Sequence, residues 1–169
     1  MNTFGFWLLP PKKIQAEYQP LIDKYSKRLK TPSFEPHITI FGGVKEDEKK
    51  IVKKVERITS KLKPIQITFS DITVSTTYHQ CVFARVKPTT YLLDTHLEFK
   101  ATLGDLGKKM YVPHMSLVYG NMSTKEKNEI ADEIKLTTNS FKADRFCLVN
   151  TDDFNPKTWI HVSEFQLNH

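Results

Sequence analysis

Cysteine is scarce in this chain: Cys81 and Cys147 are the only two in 169 residues, and they lie far apart. That excludes a disulfide-knit secreted scaffold and a zinc module built on short-spaced cysteines, and the pair reads as reduced core thiols of a cytoplasmic protein. Long apolar runs are missing, so no stretch is expected to span a membrane. The apolar start, residues 1–11, has no basic n-region and no small-residue cleavage site, which argues against a signal peptide. Linkers and low-complexity tracts are absent as well, and one domain over residues 1–169 is expected. Acidic residues are the minority, 19 against 25 Lys and Arg, for a net charge of +6. The excess sits in Lys49-Lys50, Lys53-Lys54 and Lys108-Lys109. Such clusters attract anions at long range, although short charge runs on helices are usually solvated faces.

Apolar residues make up 39% of the chain and aromatics 11%, enough for a continuous interior. Thr3 to Leu9 reads as a buried strand stopped by Pro10-Pro11, and Ile14 to Leu29 as a helix. Glu46 to Leu62 carries Ile51, Val52, Val55, Ile58 and Leu62 on one stripe and predicts a second helix. Extended stretches follow at Ile65 to Ser75 and Cys81 to Val86. A third helix, Tyr91 to Leu106, is expected to turn Leu92, Leu93, His96, Leu97 and Leu103 inward. A fourth runs from Ser123 or Thr124 to about Lys135, with Ser123 and Glu126 spaced as a capping box. Strands Phe141 to Val149 and Thr158 to Phe165 close the chain.

One phrase is written twice: Phe34-Glu35-Pro36-His37-Ile38-Thr39-Ile40 and Tyr111-Val112-Pro113-His114-Met115-Ser116-Leu117, each reaching a glycine at the same distance, Gly43 and Gly120. On a strand, side chains alternate faces, so His37 and Thr39 share one face and His114 and Ser116 repeat the arrangement. The order of motif strand, glycine turn, helix and strand recurs with it. An internal duplication with pseudo-twofold symmetry would bring the two motif strands together. His79, His96, His161 and His169, each alone, read as structural histidines.

Two histidines and two hydroxyls in one cleft suit phosphoryl chemistry by general acid–base catalysis. An imidazole titrates near neutrality, so one can accept a proton from the attacking oxygen while the other supplies one to the leaving oxygen. Thr39 and Ser116 would donate hydrogen bonds to phosphate oxygens. A metal centre fits less well, because neither motif sets Asp, Glu or Cys beside its histidine. Ser116 also lacks the G-x-S-x-G elbow of a nucleophilic serine.

The paired His37-Ile38-Thr39-Ile40 and His114-Met115-Ser116-Leu117 resemble the His-x-[Thr/Ser]-x signature of the two-histidine (2H) phosphoesterase superfamily, and the chain is most similar to its plant and fungal cyclic phosphodiesterase branch. Phe6-Trp7-Leu8-Leu9-Pro10, Gln80-Cys81-Val82-Phe83 and the stretch from Asp144-Arg145 through Trp159 extend the likeness over nearly the whole chain. The resemblance implies an α+β, bilobal pseudo-twofold fold, with antiparallel sheets and flanking helices around a central cleft and one motif from each lobe. It implies hydrolysis, without metal or other cofactor, of ADP-ribose 1″,2″-cyclic phosphate and of nucleoside 2′,3′-cyclic phosphates to 2′-phosphates. It makes His37 and His114 the acid and base, gives Thr39 and Ser116 the phosphate, and sets Tyr119 in the site. Because Tyr119 is three residues past Ser116, that place requires a bulge or a strand end. Trp7 reads either as an aromatic that stacks on a base or ribose or as an ordinary core residue. Plant members carry further cysteines able to form disulfides, so their redox gating is not implied here. The expected partner is a small cyclic phosphate or nucleotide, met by a monomer with no membrane contact. Processing of RNA ends, by a 2′–5′ RNA ligase-like or exonuclease relative, and nucleotide binding without turnover are the alternatives.

Overall fold

A nearly continuous apolar run at the start of the chain, buried from Phe4 to Leu9, builds the strand on which the site rests. The computed structural model describes residues 1–104 and 110–168. The expected helix end at Leu106, the Lys108-Lys109 pair and His169 lie outside these residues. The elements are β1 (Asn2–Leu9), α1 (Lys12–Leu29), β2 (Ile38–Glu46), α2 (Glu48–Thr59), β3 (Ile65–Val74), β4 (Val82–Val86), α3 (Thr90–Leu103), β5 (His114–Val118), α4 (Thr124–Glu133), β6 (Ser140–Ala143), β7 (Arg145–Asn150) and β8 (Ile160–Gln166). Single-turn 3-10 helices occupy Tyr78–Gln80 and Pro156–Thr158. No helix among the described residues is long and apolar enough to cross a membrane.

All strand pairings are antiparallel, in the order β6-β3-β4-β5-β2-β1-β7-β8. The two motif strands, β2 and β5, are neighbours at the centre and meet at Ile38 and Met115, the residues between each His and hydroxyl. Both are fully buried. To one side of this seam lie β2, β1, β7 and β8, and to the other β5, β4, β3 and β6. The chain reads β-α-β-α twice, as β1-α1-β2-α2 and β4-α3-β5-α4, and the strands after each repeat cross over: β3 pairs with β4 of the second repeat, and after α4 the strand β6 pairs with β3 while β7 pairs with β1 of the first. One apolar core runs through both halves, from Phe4, Phe6 and Ile40 to Met115, Leu117 and Phe146.

Local chemistry explains the helix ends. Asp47 accepts a hydrogen bond from the Lys50 amide to start α2, and Ser123 with Glu126 forms the expected capping box on α4. Ile51, Val55 and Ile58 bury one face of α2, while Lys49, Lys50 and Lys53 stay exposed and Lys54 pairs with Glu46 at 2.8 Å. Those lysines form a solvated face away from the cleft described below.

Four expectations change. The inward stripe of α3 is Leu92, Thr95 and Phe99, at i, i+3 and i+7, whereas Leu93 and Leu97 face outward and Leu97 is 55% exposed. Residues 141–149 are two strands, because the chain changes partner from β3 to β1 at Asp144, whose carbonyl accepts from the Leu167 amide. Gly43 is no turn. It lies inside β2, where a backbone φ of 85° that glycine tolerates lets the strand run on to Glu46. Glu46 therefore ends β2, and α2 begins after it.

Candidate active site

Pro36 and Pro113 have no N–H and keep the residue before them extended. In both motifs this sets a carbonyl beside the histidine ring. His37 Nδ1 lies 2.7 Å from the Glu35 carbonyl oxygen, and His114 Nδ1 lies 2.7 Å from that of Val112. Each carbonyl can only accept, so each Nδ1 carries the proton and each Nε2 is left with its lone pair. The Gln80 amide also lies against His114, Nε2 to Nδ1 2.9 Å. With that ring proton in place, the amide oxygen, turned over, is the group that suits the contact.

Both rings line one cleft of about 930 Å³, together with Thr39, Ser116, Tyr119 and Trp7. All six residues singled out in the sequence thus meet in one cavity. His37 is 6% exposed, and burial pulls its pKa down to about 4 against the partial support of the Glu35 carbonyl. His114 is half-buried and shifted the same way, again by burial. At neutral pH both rings are therefore neutral.

Trp7 and Thr39 are register partners across β1 and β2, and Phe83 and Ser116 are partners across β4 and β5. Trp7 lies flat on His37, with centroids 3.7 Å apart at 12°, while Phe83 meets His114 edge-on at 5.3 Å. The two histidines thus have matching aromatic supports with different contacts. Trp7 is 5% exposed, so its stacking partner is His37 and only its rim reaches the cleft. Glycine at position 5 allows this, since a Cβ there would come within 3.2 Å of the Trp7 indole nitrogen.

Ser116 Oγ donates to the His79 carbonyl at 2.7 Å and must rotate to donate into the cleft. Tyr119 follows the last residue of β5, which frees it from strand alternation. It stacks on Phe34 at 3.6 Å, and burial pushes its phenol pKa up, with Ser116 beside it offsetting part of the rise.

The cleft also contains residues that sequence reasoning passed over. His79, Tyr78 and Gln80 come from the 3-10 turn before β4, and Phe154 and Trp159 from the segment between β7 and β8. His79 stacks on Phe154 at 5.1 Å, which makes an aromatic wall on one side. His96 and Tyr111 stack at 4.0 Å on the other side, where His96 Nδ1 also contacts the Ile40 carbonyl oxygen. The aromatic that opens the second motif, Tyr111, was a visible signal. His79 and His96 had none, since each stands alone in its segment.

A model of the cyclic phosphodiesterase-like protein family matches residues 1–145. The cyclic phosphodiesterase of Arabidopsis thaliana is 24% identical over 174 residues, covering 99% of this chain and 96% of that protein. Among solved structures, one described as a phosphoesterase aligns with a TM-score of 0.68 at 14% identity over 100% of both chains. LigT from E. coli complexed with 3'-AMP aligns with a TM-score of 0.67 at 12% identity, covering 99% of this chain and 98% of that one.

Proposed function

The chain belongs to the cyclic phosphodiesterase-like family of two-histidine phosphoesterases, and from that membership we propose that it opens small cyclic phosphates, ADP-ribose 1″,2″-cyclic phosphate and nucleoside 2′,3′-cyclic phosphates, to phosphomonoesters. It is a phosphodiesterase. The observation that carries the mechanism is the shared geometry of His37 and His114: two rings in one cleft, each with Nδ1 tied to a backbone carbonyl and Nε2 left for chemistry.

In this reading the phosphodiester anion enters between the rings and raises the pKa of both, so that one takes up a proton. The neutral ring accepts a proton from water as its oxygen bonds to phosphorus. The protonated ring gives its proton to the 3′ oxygen as that P–O bond breaks, leaving a 2′-phosphate. Thr39 Oγ1 and a rotated Ser116 Oγ donate to the non-bridging oxygens, with Tyr119 holding Ser116. The aromatic wall of His79, Phe154 and Trp159 offers stacking surface to a base, as befits a fold whose E. coli neighbour LigT was solved with 3'-AMP. Among the described lining residues Lys100 is the one amine. A cleft so sparsely charged suits a small substrate better than a long phosphate backbone.

With EDTA present, purified protein is expected to hydrolyse a 2′,3′-cyclic nucleotide to the 2′-phosphate. His37→Ala and His114→Ala are each expected to lower turnover by about two to four orders of magnitude. Full activity in either variant, or a 3′-phosphate in the phosphorus NMR spectrum, would overturn this reading.

A further inference from the structure

Behind Trp7, on the side away from the cleft, the same face of the sheet carries a second cluster. Register runs from Trp7 on β1 to Cys147 on β7 and on to Glu164 on β8. A register shift between Leu148 and Val149 brings His161 to the same face as Glu164, although three residues separate them. The ligand atoms of Cys147, His161 and Glu164 all lie within 4.8 Å of one another, the only such group of three among the described residues. A fourth group, the second carboxylate, completes the surroundings: Glu35 Oε2 lies 2.8 Å from His161 Nε2.

We propose that Cys147 Sγ, His161 Nδ1 and Glu164 form a binding site for a zinc-like divalent cation, with Glu35 orienting His161 from behind. Thiolate, imidazole and carboxylate together are the donor set of zinc and its borderline neighbours, and do not suit magnesium or calcium. Nε2 is engaged by Glu35, so Nδ1, 3.4 Å from Glu164 Oε1, is the ligating atom. A carboxylate behind a metal-bound histidine is the usual outer partner, fixing the ring's tautomer and orientation. Ligand atoms in a tetrahedral zinc site stand about 3.5 Å apart, so His161 and Glu164 need to close on the sulfur by about 1 Å. Both are surface side chains, 37% and 44% exposed and open to an entering ion, and Glu164 Oε2 is paired with Arg145 at 3.3 Å, which leaves Oε1 as its ligating oxygen, while Cys147 is buried at 1%. Metal entry releases the thiol proton and any proton on Nδ1. None of the four residues lines the cleft, and three ligands leave one coordination position for water. The site also touches the catalytic layer, because the residue that braces His161 through its carboxylate is the one that holds His37 through its carbonyl.

Cobalt(II) titration of reduced, metal-free protein at about pH 8, where the metal competes with fewer protons for its ligands than at lower pH, tests this directly. One equivalent is expected to bind, with a near-ultraviolet sulfur-to-cobalt charge-transfer band that zinc abolishes on displacing the cobalt. Cys147→Ser is expected to lose the band and Cys81→Ser to keep it. His161→Gln and Glu164→Gln, both at surface positions that do not threaten folding, are expected to weaken binding more than about tenfold, and Glu35→Gln about tenfold. Binding without the band, a band that survives in Cys147→Ser, or equal affinity in wild type and His161→Gln would overturn the site. These readouts do not involve turnover, so they stand or fall apart from the hydrolytic mechanism.

Discussion

A buried histidine held neutral by its surroundings leaves a signature in the pH dependence of both stability and rate. His37 has a folded pKa of about 4, against about 6.5 for an unperturbed histidine. Between these values the unfolded chain binds the proton and the folded one does not. Stability is therefore complete above pH 6.5 and falls as the pH drops toward 4, by about 3 kcal/mol in all. Thermal melts across this window are expected to show that acid limb and His37→Gln to flatten it; an unchanged limb would mean the ring is not buried neutral. The rate has its own profile. The pH dependence of kcat/KM reports the free enzyme, where burial lowers both histidines, so its alkaline limb is expected below pH 6.5. The limb of kcat is expected at higher pH, because the bound phosphate anion stabilises the imidazolium. Coincident limbs would count against this coupling. Whichever of His37→Ala and His114→Ala loses the alkaline limb identifies the acid.

Elements decide what reaches the cleft. Strand alternation sets each histidine and its hydroxyl on one face, and all four line the cleft, since a period of two is a local property of extended backbone. Tyr119 joins them because β5 stops at Val118, and Trp159 arrives from a turn where no periodicity operates. The face of α3 was harder to read, as Leu92, Leu93 and Leu97 are equally apolar and only packing tells them apart. Phe99→Ala is expected to cost about 3–5 kcal/mol in denaturant unfolding, whereas Leu97→Ala should stay within about 0.5 kcal/mol. Similar losses at both positions would mean that the helix is rotated from this arrangement. The division of residues 141–149 into β6 and β7 escaped notice for a related reason. Apolar residues stand on both sides of Asp144-Arg145, and the local pattern is the same whether the segment serves one partner strand or two.

At the scale of the molecule, crossed strand pairings tie the halves together. β3 leaves the first repeat to pair in the second, and β7 returns from the end of the chain to the first, so neither half is a continuous segment. We propose on this ground that residues 1–169 form one domain of two pseudo-symmetric lobes that unfold together. Both tryptophans, Trp7 and Trp159, lie in the half built on β1, whereas far-ultraviolet circular dichroism reports the whole backbone. The two signals are expected to trace one coincident denaturation curve. Two separated midpoints would show that the lobes are independent.

The sequence by itself determined the doubled motif and the strand face its histidines and hydroxyls share, because strand alternation, prolines and repeated spacing are written along the chain, and the resemblance those motifs carry implied the family and its antiparallel α+β character. Tertiary structure alone decided that both imidazoles are neutral, since desolvation depends on the neighbours brought from elsewhere, Trp7 over His37 and Phe83 against His114. It also decided the aromatic wall of His79, Phe154 and Trp159 and the grouping of Cys147, His161 and Glu164. Those residues sit on different strands and turns, and only strand register and the shift beside Val149 set them side by side.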